Sequence, residues 1–191
     1  MLAEKLIASL LHDAYGLDIN TPGLKDTPKR MAKMYSELLA SVHKPAPDLK
    51  VSFPNDCEYT GIVMSDCLQF WSLCEHHFSP FGGFAWIIYI PCDERIAGLS
   101  KLERILRFFS KKPQLQERLA KEVADYIMET FTPKGAMVYM RAKHGCTQCR
   151  GVLSSNRSGM TTSAVRGVFE QHEMELKALE MIKISLSIEG L

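Results

Sequence analysis

The sequence predicts an α+β domain in which an antiparallel sheet carries two helices on one face. The order of the predicted elements along the chain supports this prediction. β-rich runs in the middle of the chain are followed by two amphipathic helical runs, and β-rich runs then return. Such an order is typical of α+β domains. The length of 191 residues fits one domain with extensions.

Two helices are predicted ahead of the sheet. The first is indicated by apolar residues at helical spacing, which are Leu2, Leu6, Ile7, Leu10, Leu11 and Ala14. Gly16 follows them and suits a C-terminal cap. In the second helix, Thr27 can cap the start, with Pro28 at the first helical position.

A connector after the second helix divides the chain. Pro45 and Pro47 end the helix, so we interpret residues 43–50 as this connector. We therefore predict an N-terminal helical region over residues 1–45 and a main domain over residues 50–191, which act as one functional unit.

The main domain begins with predicted strands. The stretch EYTGIVMSDCLQFWSL, residues 58–73, predicts two β-rich runs that are broken near Ser65 and Asp66. The stretch FAWIIYIP, residues 84–91, predicts a strongly apolar strand that a proline ends.

Helices and further strands complete the predicted domain. Residues 100–110 and 114–131 are predicted helices, and the second has an apolar stripe opposite its charges. Residues 135–144, GAMVYMRAKH, and 161–169, TTSAVRGVF, are predicted strands. A last amphipathic helix is predicted over residues 170–183, EQHEMELKALEMIK.

Charge and composition limit the classes of partner. The chain has 23 Lys and Arg against 22 Asp and Glu, so it has no bulk field for nucleic acid or an anionic membrane. It contains no apolar run of ~18 residues and its N-terminus is unlike a secretory signal. We therefore predict a cytoplasmic protein. Its six cysteines are then interpreted as thiols or metal ligands, with Cys57, Cys67 and Cys92 in the core.

Two clusters of cysteine and histidine predict a metal site. In SLCEHHFSPFGG, Cys74 and His77 have two residues between them, a spacing that closes on one tetrahedral ion. His76 is too near Cys74 in sequence to share such a chelate. In KHGCTQCRG, His144 and Cys146 share a face if the strand continues. A thiolate from Cys146 would be a third zinc ligand.

The fourth coordination position decides the function and stays open on spacing alone. If His144 or Cys149 ligates the metal, the site is closed and structural. If water fills the position, zinc can lower the pKa of that water to about 7, and His76 and His144 are free for acid–base work. A third alternative is that the clusters are unrelated buried thiols and a surface histidine pair.

Polar residues elsewhere predict a binding site for an anion and a base. Ser100 can cap a helix, with Glu103 completing a capping box, and such a helix start favours anions. Gln116 and Glu117 can read a guanine edge. A polyphosphate could be bound by the basic residues Lys101, Arg104, Arg150, Arg30 and Lys33. Ordinary solvated side chains are the alternative for each of these residues.

Seven motifs together resemble the GTP cyclohydrolase I family. In order they are DTPKRMAKMY, SLCEHHFSPFGG, YIP, IAGLSKLERI, FFSKKPQLQERL, KHGCTQCRG and TTSAVRGVF, and they span about residues 24–170. The resemblance implies a tunnelling fold and an enzyme that opens the imidazole ring of GTP. It releases C8 as formate and recloses the product as 7,8-dihydroneopterin triphosphate, the first step of tetrahydrofolate and pterin synthesis. It also implies a homo-oligomer, a decamer of two pentamers, whose active sites are built from neighbouring subunits.

The resemblance further implies residue roles. Zinc would be held by Cys74, His77 and Cys146. His144 would protonate N7 of the purine while zinc-bound water attacks C8, and His76 would assist later proton transfers. Glu117 would hold the guanine edge, with Gln116, Leu99 and Ser100 nearby. The triphosphate would contact Lys101, Arg104 and Arg150, with Arg30 and Lys33 as further candidates.

Two other functions remain open on the sequence. One is a GTP-binding regulatory protein with a structural zinc, although such a binder does not need the pair His76 and His144. The other is a different tunnelling-fold enzyme acting on a related pterin or deazapurine. Two residues depart from the family pattern: Trp86 stands where smaller or polar residues are common, and Cys149 lies in a variable segment.

Overall fold

The computed structural model describes residues 2–49, 52–92, 95–155 and 158–189. The helices in chain order are α1 (Leu2–Ser9), α2 (Thr27–Leu38), α3 (Leu99–Ser110), α4 (Gln116–Phe131), α5 (Gly145–Gln148) and α6 (His172–Glu189). The strands are β1 (Ser52–Pro54), β2 (Val63–Cys74), β3 (Pro80–Ile90), β4 (Arg95–Ala97), β5 (Pro113–Gln114), β6 (Gly135–His144) and β7 (Met160–Gly167). A π-helical turn, Leu10–Ala14, extends α1, and a 3-10 turn, Val168–Glu170, precedes α6.

The main sheet contains five strands in the order β5-β2-β3-β6-β7. All neighbours are antiparallel except the short β5, which pairs in parallel with the end of β2. Strands β1 and β4 form a separate antiparallel pair. Because α3 and α4 stand between the pairs β2-β3 and β6-β7, the predicted α+β architecture with the tunnelling-fold element order is confirmed.

The two faces of the sheet bury two separate cores. Odd-numbered residues of β3 from Ala85 to Tyr89 join the core that includes residues of α3 and α4. Even-numbered residues from Trp86 to Ile90 join a second core with residues of α6. The prediction of two helices on one face is confirmed by α3 and α4. The opposite face is covered as well, by α6, as expected for a strand that is apolar at every position. Trp86 belongs to the second core, where its Nε1–H donates to Oγ of Ser185 in α6 at 3.3 Å.

The predicted break near Ser65 and Asp66 coincides with a register shift in the ladder with β3, between Ser65 and Leu68. The division into two strands is wrong, because Val63–Cys74 forms the single strand β2 through this point. Cys67 has a φ of 50°, in the left-handed region. A β-bulge of this kind accommodates extra residues and lets the strand continue.

The predicted capping box at α3 is also wrong. The N-cap is Gly98, in extended backbone conformation, and Ser100 already lies inside the helix. Glu103 instead accepts a hydrogen bond from Arg107 one turn later, at 2.7 Å. The second helix similarly begins one residue earlier than predicted, with Asp26 at its N-cap.

Gly16 ends the first helical segment of the N-terminal region, as predicted. Gly16 has a φ of 65° and donates its N–H to the carbonyl of His12 at 2.9 Å. Glycine suits this position because it adopts the left-handed conformation at little cost. Helices α1 and α2 contact each other. A loop follows α2 as far as residue 49, and Lys50, at the predicted domain boundary, lies outside the described residues.

All six cysteines are free thiols in this structure. The prediction of core thiols is wrong for Cys57, which is exposed, and Cys67 and Cys92 are only half-buried. Within the described ranges, none of the helices combines the length and the apolar character that a bilayer crossing requires.

Candidate active site

A tight turn after β2 brings the first two metal-ligand candidates together. The N–H of Cys74 donates to the carbonyl of Ser79 at 2.9 Å, and the N–H of Phe78 donates to the carbonyl of Cys74 at 2.8 Å. Phe78 adopts a φ of 52° to complete the turn. As a result, Sγ of Cys74 lies 3.9 Å from Nδ1 of His77.

The end of β6 lies beside this turn because of the β3-β6 register. Phe81 pairs with His144, so the last residue of β6 faces the first residues of β3. Gly145 follows, and a Cβ there would lie 2.8 Å from the backbone carbonyl oxygen of Pro80, so glycine allows this close approach. The chain then turns into α5, which carries Cys146.

The structure brings together three donor residues. The donor atoms of Cys74, His77 and Cys146 all lie within 4.8 Å of one another. The expectation that His144 and Cys146 share a face of one strand is wrong, because the strand ends at His144 and Cys146 belongs to a short helix. His144 is not part of the donor group.

The donor set fits zinc. Zinc–sulfur bonds of ~2.3 Å and zinc–nitrogen bonds of ~2.0–2.1 Å in a tetrahedron place donor atoms roughly 3.6–3.8 Å apart. The Cys74–His77 separation of 3.9 Å is close to this value, and small side-chain movements would close the rest. Two thiolates and an imidazole are ligands that zinc accepts readily. In the part of the chain that the structure describes, the group contains three donors and no fourth.

The electrostatics of the group favour a protonated Cys146 thiol in the absence of a cation. Burial raises the pKa of the Cys146 thiol, and the nearby Cys74 raises it further by charge repulsion and hydrogen bonding. The positive charge of Arg150 opposes this rise, which places Arg150 near the group. A metal would therefore have to displace a proton from Cys146 in order to bind.

Next to the donor group lies His144, with its ring held on two sides. The ring stacks on Phe81, with centroids 4.6 Å apart and planes at 6°. Its Nε2 lies 2.9 Å from Oε1 of Gln116. Burial lowers the pKa of His144 and the carboxylate of Glu117 opposes this effect, so Glu117 lies near His144. His76 is exposed on the turn, with its ring centroid 6.2 Å from that of His77.

Arg118 is a site residue that sequence reasoning missed. Its Nη2 donates to Oε2 of Glu75 at 2.5 Å, and its Nε donates to Oε1 of Gln114 at 2.8 Å. Since Glu75 stands between Cys74 and His77, this ion pair ties α4 to the turn that carries two donors. The available signal was the position of Arg118 in the QERL motif directly after Gln116 and Glu117.

The comparisons with known proteins agree with this arrangement. The protein-family model for GTP cyclohydrolase I matches residues 3–183 of this chain. The chain belongs to the GTP cyclohydrolase I family. The prediction of this family, and of an enzyme of this family, is therefore confirmed.

Two relatives named GTP cyclohydrolase 1 match this chain over most of their length. The protein named GTP cyclohydrolase 1 of Lysinibacillus sphaericus (strain C3-41) is 43% identical over 184 residues, which cover 95% of each chain. That of Geobacillus sp. (strain WCH70) is 44% identical over 176 residues, which cover 91% of this chain and 92% of the relative. Among solved structures, the archaeosine synthase QueF-Like in the apo form matches with a TM-score of 0.42 and 13% identity. It covers 56% of this chain and 92% of its own.

Other predicted substrate-binding residues of this GTP cyclohydrolase I family member lie far from the donor group. Leu99 and Ser100 border a cavity of about 410 Å³ together with Met64, Ser65, Asp66 and Leu68 of β2. This cavity lies six to ten residues before Cys74, or roughly 20–30 Å along the strand. Lys101 and Arg104 follow on the same end of α3. One copy of the chain therefore does not bring the start of α3 to the donor group.

The two basic candidates of α2 pair along their own helix. Arg30 lies 3.5 Å from Asp26 and Lys33 lies 4.0 Å from Glu37, and all four side chains are largely exposed. Helix α2 nevertheless approaches the turn after β2 that carries Cys74 and His77, since the ring centroids of Tyr35 and Phe78 are 5.8 Å apart.

Proposed function

We propose that this chain is a zinc-dependent GTP cyclohydrolase that converts GTP to 7,8-dihydroneopterin triphosphate and formate, the first step of tetrahydrofolate and pterin synthesis. The observation that supports this best is the group of three donors beside His144, which is not one of them. A structural zinc site would use a fourth protein ligand. The curated relatives named GTP cyclohydrolase 1 supply the substrate class.

Zinc would be held by Cys74, His77 and Cys146. When bound, the ion would supply Lewis acidity and lower the pKa of water at its open coordination position. The protein then has to place the purine beside the ion and to move protons at its ring nitrogens.

Proton transfer is assigned to the two histidines outside the donor group. His144 lies at the edge of the donor group and exchanges a proton with N7 of the purine. Burial lowers its pKa below the ordinary value, so the ring is neutral at pH 7 and a proton that it takes up is readily passed on. His76, exposed on the ligand turn, assists the later transfers at the opened ring.

Substrate orientation is assigned to charged groups around the cleft. The carboxylate of Glu117 is exposed next to His144 and can accept from N1–H and the exocyclic amine of guanine. Arg150, near Cys146, provides positive charge for the triphosphate. Lys101 and Arg104, at the start of α3, would add positive charge from a neighbouring copy of the chain.

We further propose a homo-oligomer, a decamer of two pentamers, in the cytoplasm, whose reducing conditions suit thiolate ligands. The separation of roughly 20–30 Å between Cys74 and the start of α3 supports an active site completed by a neighbouring copy. Mixing tests this. Subunits carrying His144→Ala and subunits carrying Lys101→Ala are each inactive alone, and a co-refolded mixture regains part of the turnover. A mixture that stays inactive while it assembles contradicts a shared site.

The experiment that tests the activity is a GTP assay on the zinc-loaded protein. We expect formate, and a triphosphate product with the mass of dihydroneopterin triphosphate. Both should disappear on treatment with a chelator and return when zinc is added back. Tight binding of GTP without turnover would favour the regulatory binder, and a different product would favour another tunnelling-fold enzyme.

A further inference from the structure

The side-chain amide of Gln116 is locked by its surroundings. Gln116 is the first residue of α4 and its side chain is 1% exposed. Its Nε2 lies 3.0 Å from the carbonyl oxygen of Met160, 3.2 Å from Oγ1 of Thr162 and 3.3 Å from the carbonyl oxygen of Met140. All three neighbours are oxygen atoms of β6 and β7. An amide turned over would place its own oxygen against two carbonyl oxygens, so the orientation is fixed.

This orientation leaves Oε1 of Gln116 facing His144. The distance from Oε1 to Nε2 of the imidazole is 2.9 Å. An amide oxygen can only accept a hydrogen bond, so Nε2 has to be the donor. A neutral imidazole carries one proton, and its other nitrogen then holds a lone pair. Stacking on Phe81 fixes the plane of the ring.

We propose that Gln116 is a positioning residue that fixes the tautomer of neutral His144, with the proton on Nε2 and the lone pair on Nδ1. Within the described residues, no hydrogen bond to Nδ1 occupies this nitrogen. The effect on turnover rests on the proposed function, whereas the tautomer itself does not.

This role differs from the guanine contact that the family resemblance implies for Gln116. The amide nitrogen already has oxygen acceptors inside the chain, and the amide oxygen already has the imidazole. Glu117, next in sequence, is exposed and remains available to the base. The two residues thus have different roles, since Gln116 orients the imidazole of His144 and Glu117 orients the substrate.

A spectroscopic test reads the tautomer directly. The assembled, zinc-loaded protein is labelled with ¹⁵N-histidine and studied by solid-state NMR at about pH 8, where an ordinary imidazole is neutral. A His144→Asn sample identifies the signals of His144 by difference. We expect Nε2 protonated and Nδ1 bare in the wild type, and loss of this preference in Gln116→Met, which has no acceptor. A wild type protonated on Nδ1, or an unchanged tautomer in Gln116→Met, overturns the proposal.

A second variant separates positioning from folding. Gln116→Glu keeps an oxygen acceptor toward His144 but loses the donor to the carbonyls of Met140 and Met160. It should therefore retain the Nε2–H tautomer even if its thermal stability falls. If Gln116→Glu and Gln116→Met lose the tautomer equally, the hydrogen bond from Nε2 is not what fixes it.

Kinetics provide a readout that a guanine contact would not give. Gln116→Met should lower kcat roughly 10–100-fold, as loss of a partner that orients a functional imidazole does, with KM for GTP changed by less than about twofold. The matched control is Gln171→Met, a glutamine on the surface before α6, which should leave both constants unchanged. A raised KM with kcat intact would assign Gln116 to substrate binding instead. If no variant turns over GTP, the proposed function fails while the NMR result still decides the tautomer.

Discussion

Replacing Arg118 with methionine should loosen the turn that carries two of the metal donors. The substitution keeps the apolar stem and removes the guanidinium. Three hydrogen bonds are lost, to Oε2 of Glu75, to Oε1 of Gln114 and to the carbonyl of Pro113. Glu75 lies in the turn, so it loses the partner that holds it against α4.

The magnitude follows from the burial of the partners. The ion pair with Glu75 is partly exposed, with side chains 39% and 31% accessible, and such a pair contributes about 0.5–1 kcal/mol. Gln114 is 1% exposed, and its Nε2 is already used by the carbonyl of Phe109 and by Glu122. The amide cannot turn over, so its Oε1 loses its donor at a cost of about 1–3 kcal/mol. We expect a total destabilisation of roughly 2–3 kcal/mol.

Thermal unfolding followed by circular dichroism measures this effect. A loss of this size lowers the melting temperature of a chain of this length by roughly 5–10 °C. The matched control is Arg107→Met, which removes an exposed ion pair with Glu103 and should cost less than about 0.5 kcal/mol. Competition with a chromogenic chelator should also show zinc affinity about tenfold weaker in Arg118→Met. Equal melting temperatures and equal zinc affinities in the two variants would refute this reasoning.

Three further predictions concern the donor group. His144→Ala should keep one zinc per chain in metal analysis but lose turnover about 10²–10⁴-fold; loss of zinc would make His144 a ligand. Cys149→Ser should match the wild type in zinc content, whereas Cys146→Ser should bind zinc far more weakly; a parallel loss in both would place Cys149 in the coordination shell. Because burial raises the pKa of Cys146, zinc binding has to release a proton, so calorimetric zinc affinity should increase as pH rises through neutrality; a flat profile would contradict a protonated thiol.

The sequence could predict that Cys74 and His77 come together because their geometry is local, whereas Cys146 reaches them through the β3-β6 register. Cys74 and His77 are three residues apart, and a tight turn is enough to bring their donor atoms together. Strand β3 was predictable for a similar reason, since an unbroken apolar run is typical of a buried strand. The same apolar run is also consistent with burial of the second face of the sheet. That α6 covers this face was not predicted, because nothing in the local sequence shows where α6 packs.

Contacts across the chain could not be predicted from spacing. Gln116 and His144 are 28 positions apart, and Arg118 and Glu75 are 43 apart, so both contacts depend on how α4 docks on the sheet. Cys57 was predicted to lie in the core, but it stands in a turn after β1 and its thiol is exposed.

X-ray absorption at the zinc edge tests the central claim most directly. For the zinc-loaded protein we predict two sulfur atoms at ~2.3 Å and two lighter atoms at ~2.0–2.1 Å, with multiple scattering from a single imidazole. That result corresponds to Cys74, Cys146 and His77 with one position open to solvent. A third sulfur, or a second imidazole, would mean that the protein closes the site and would contradict the account.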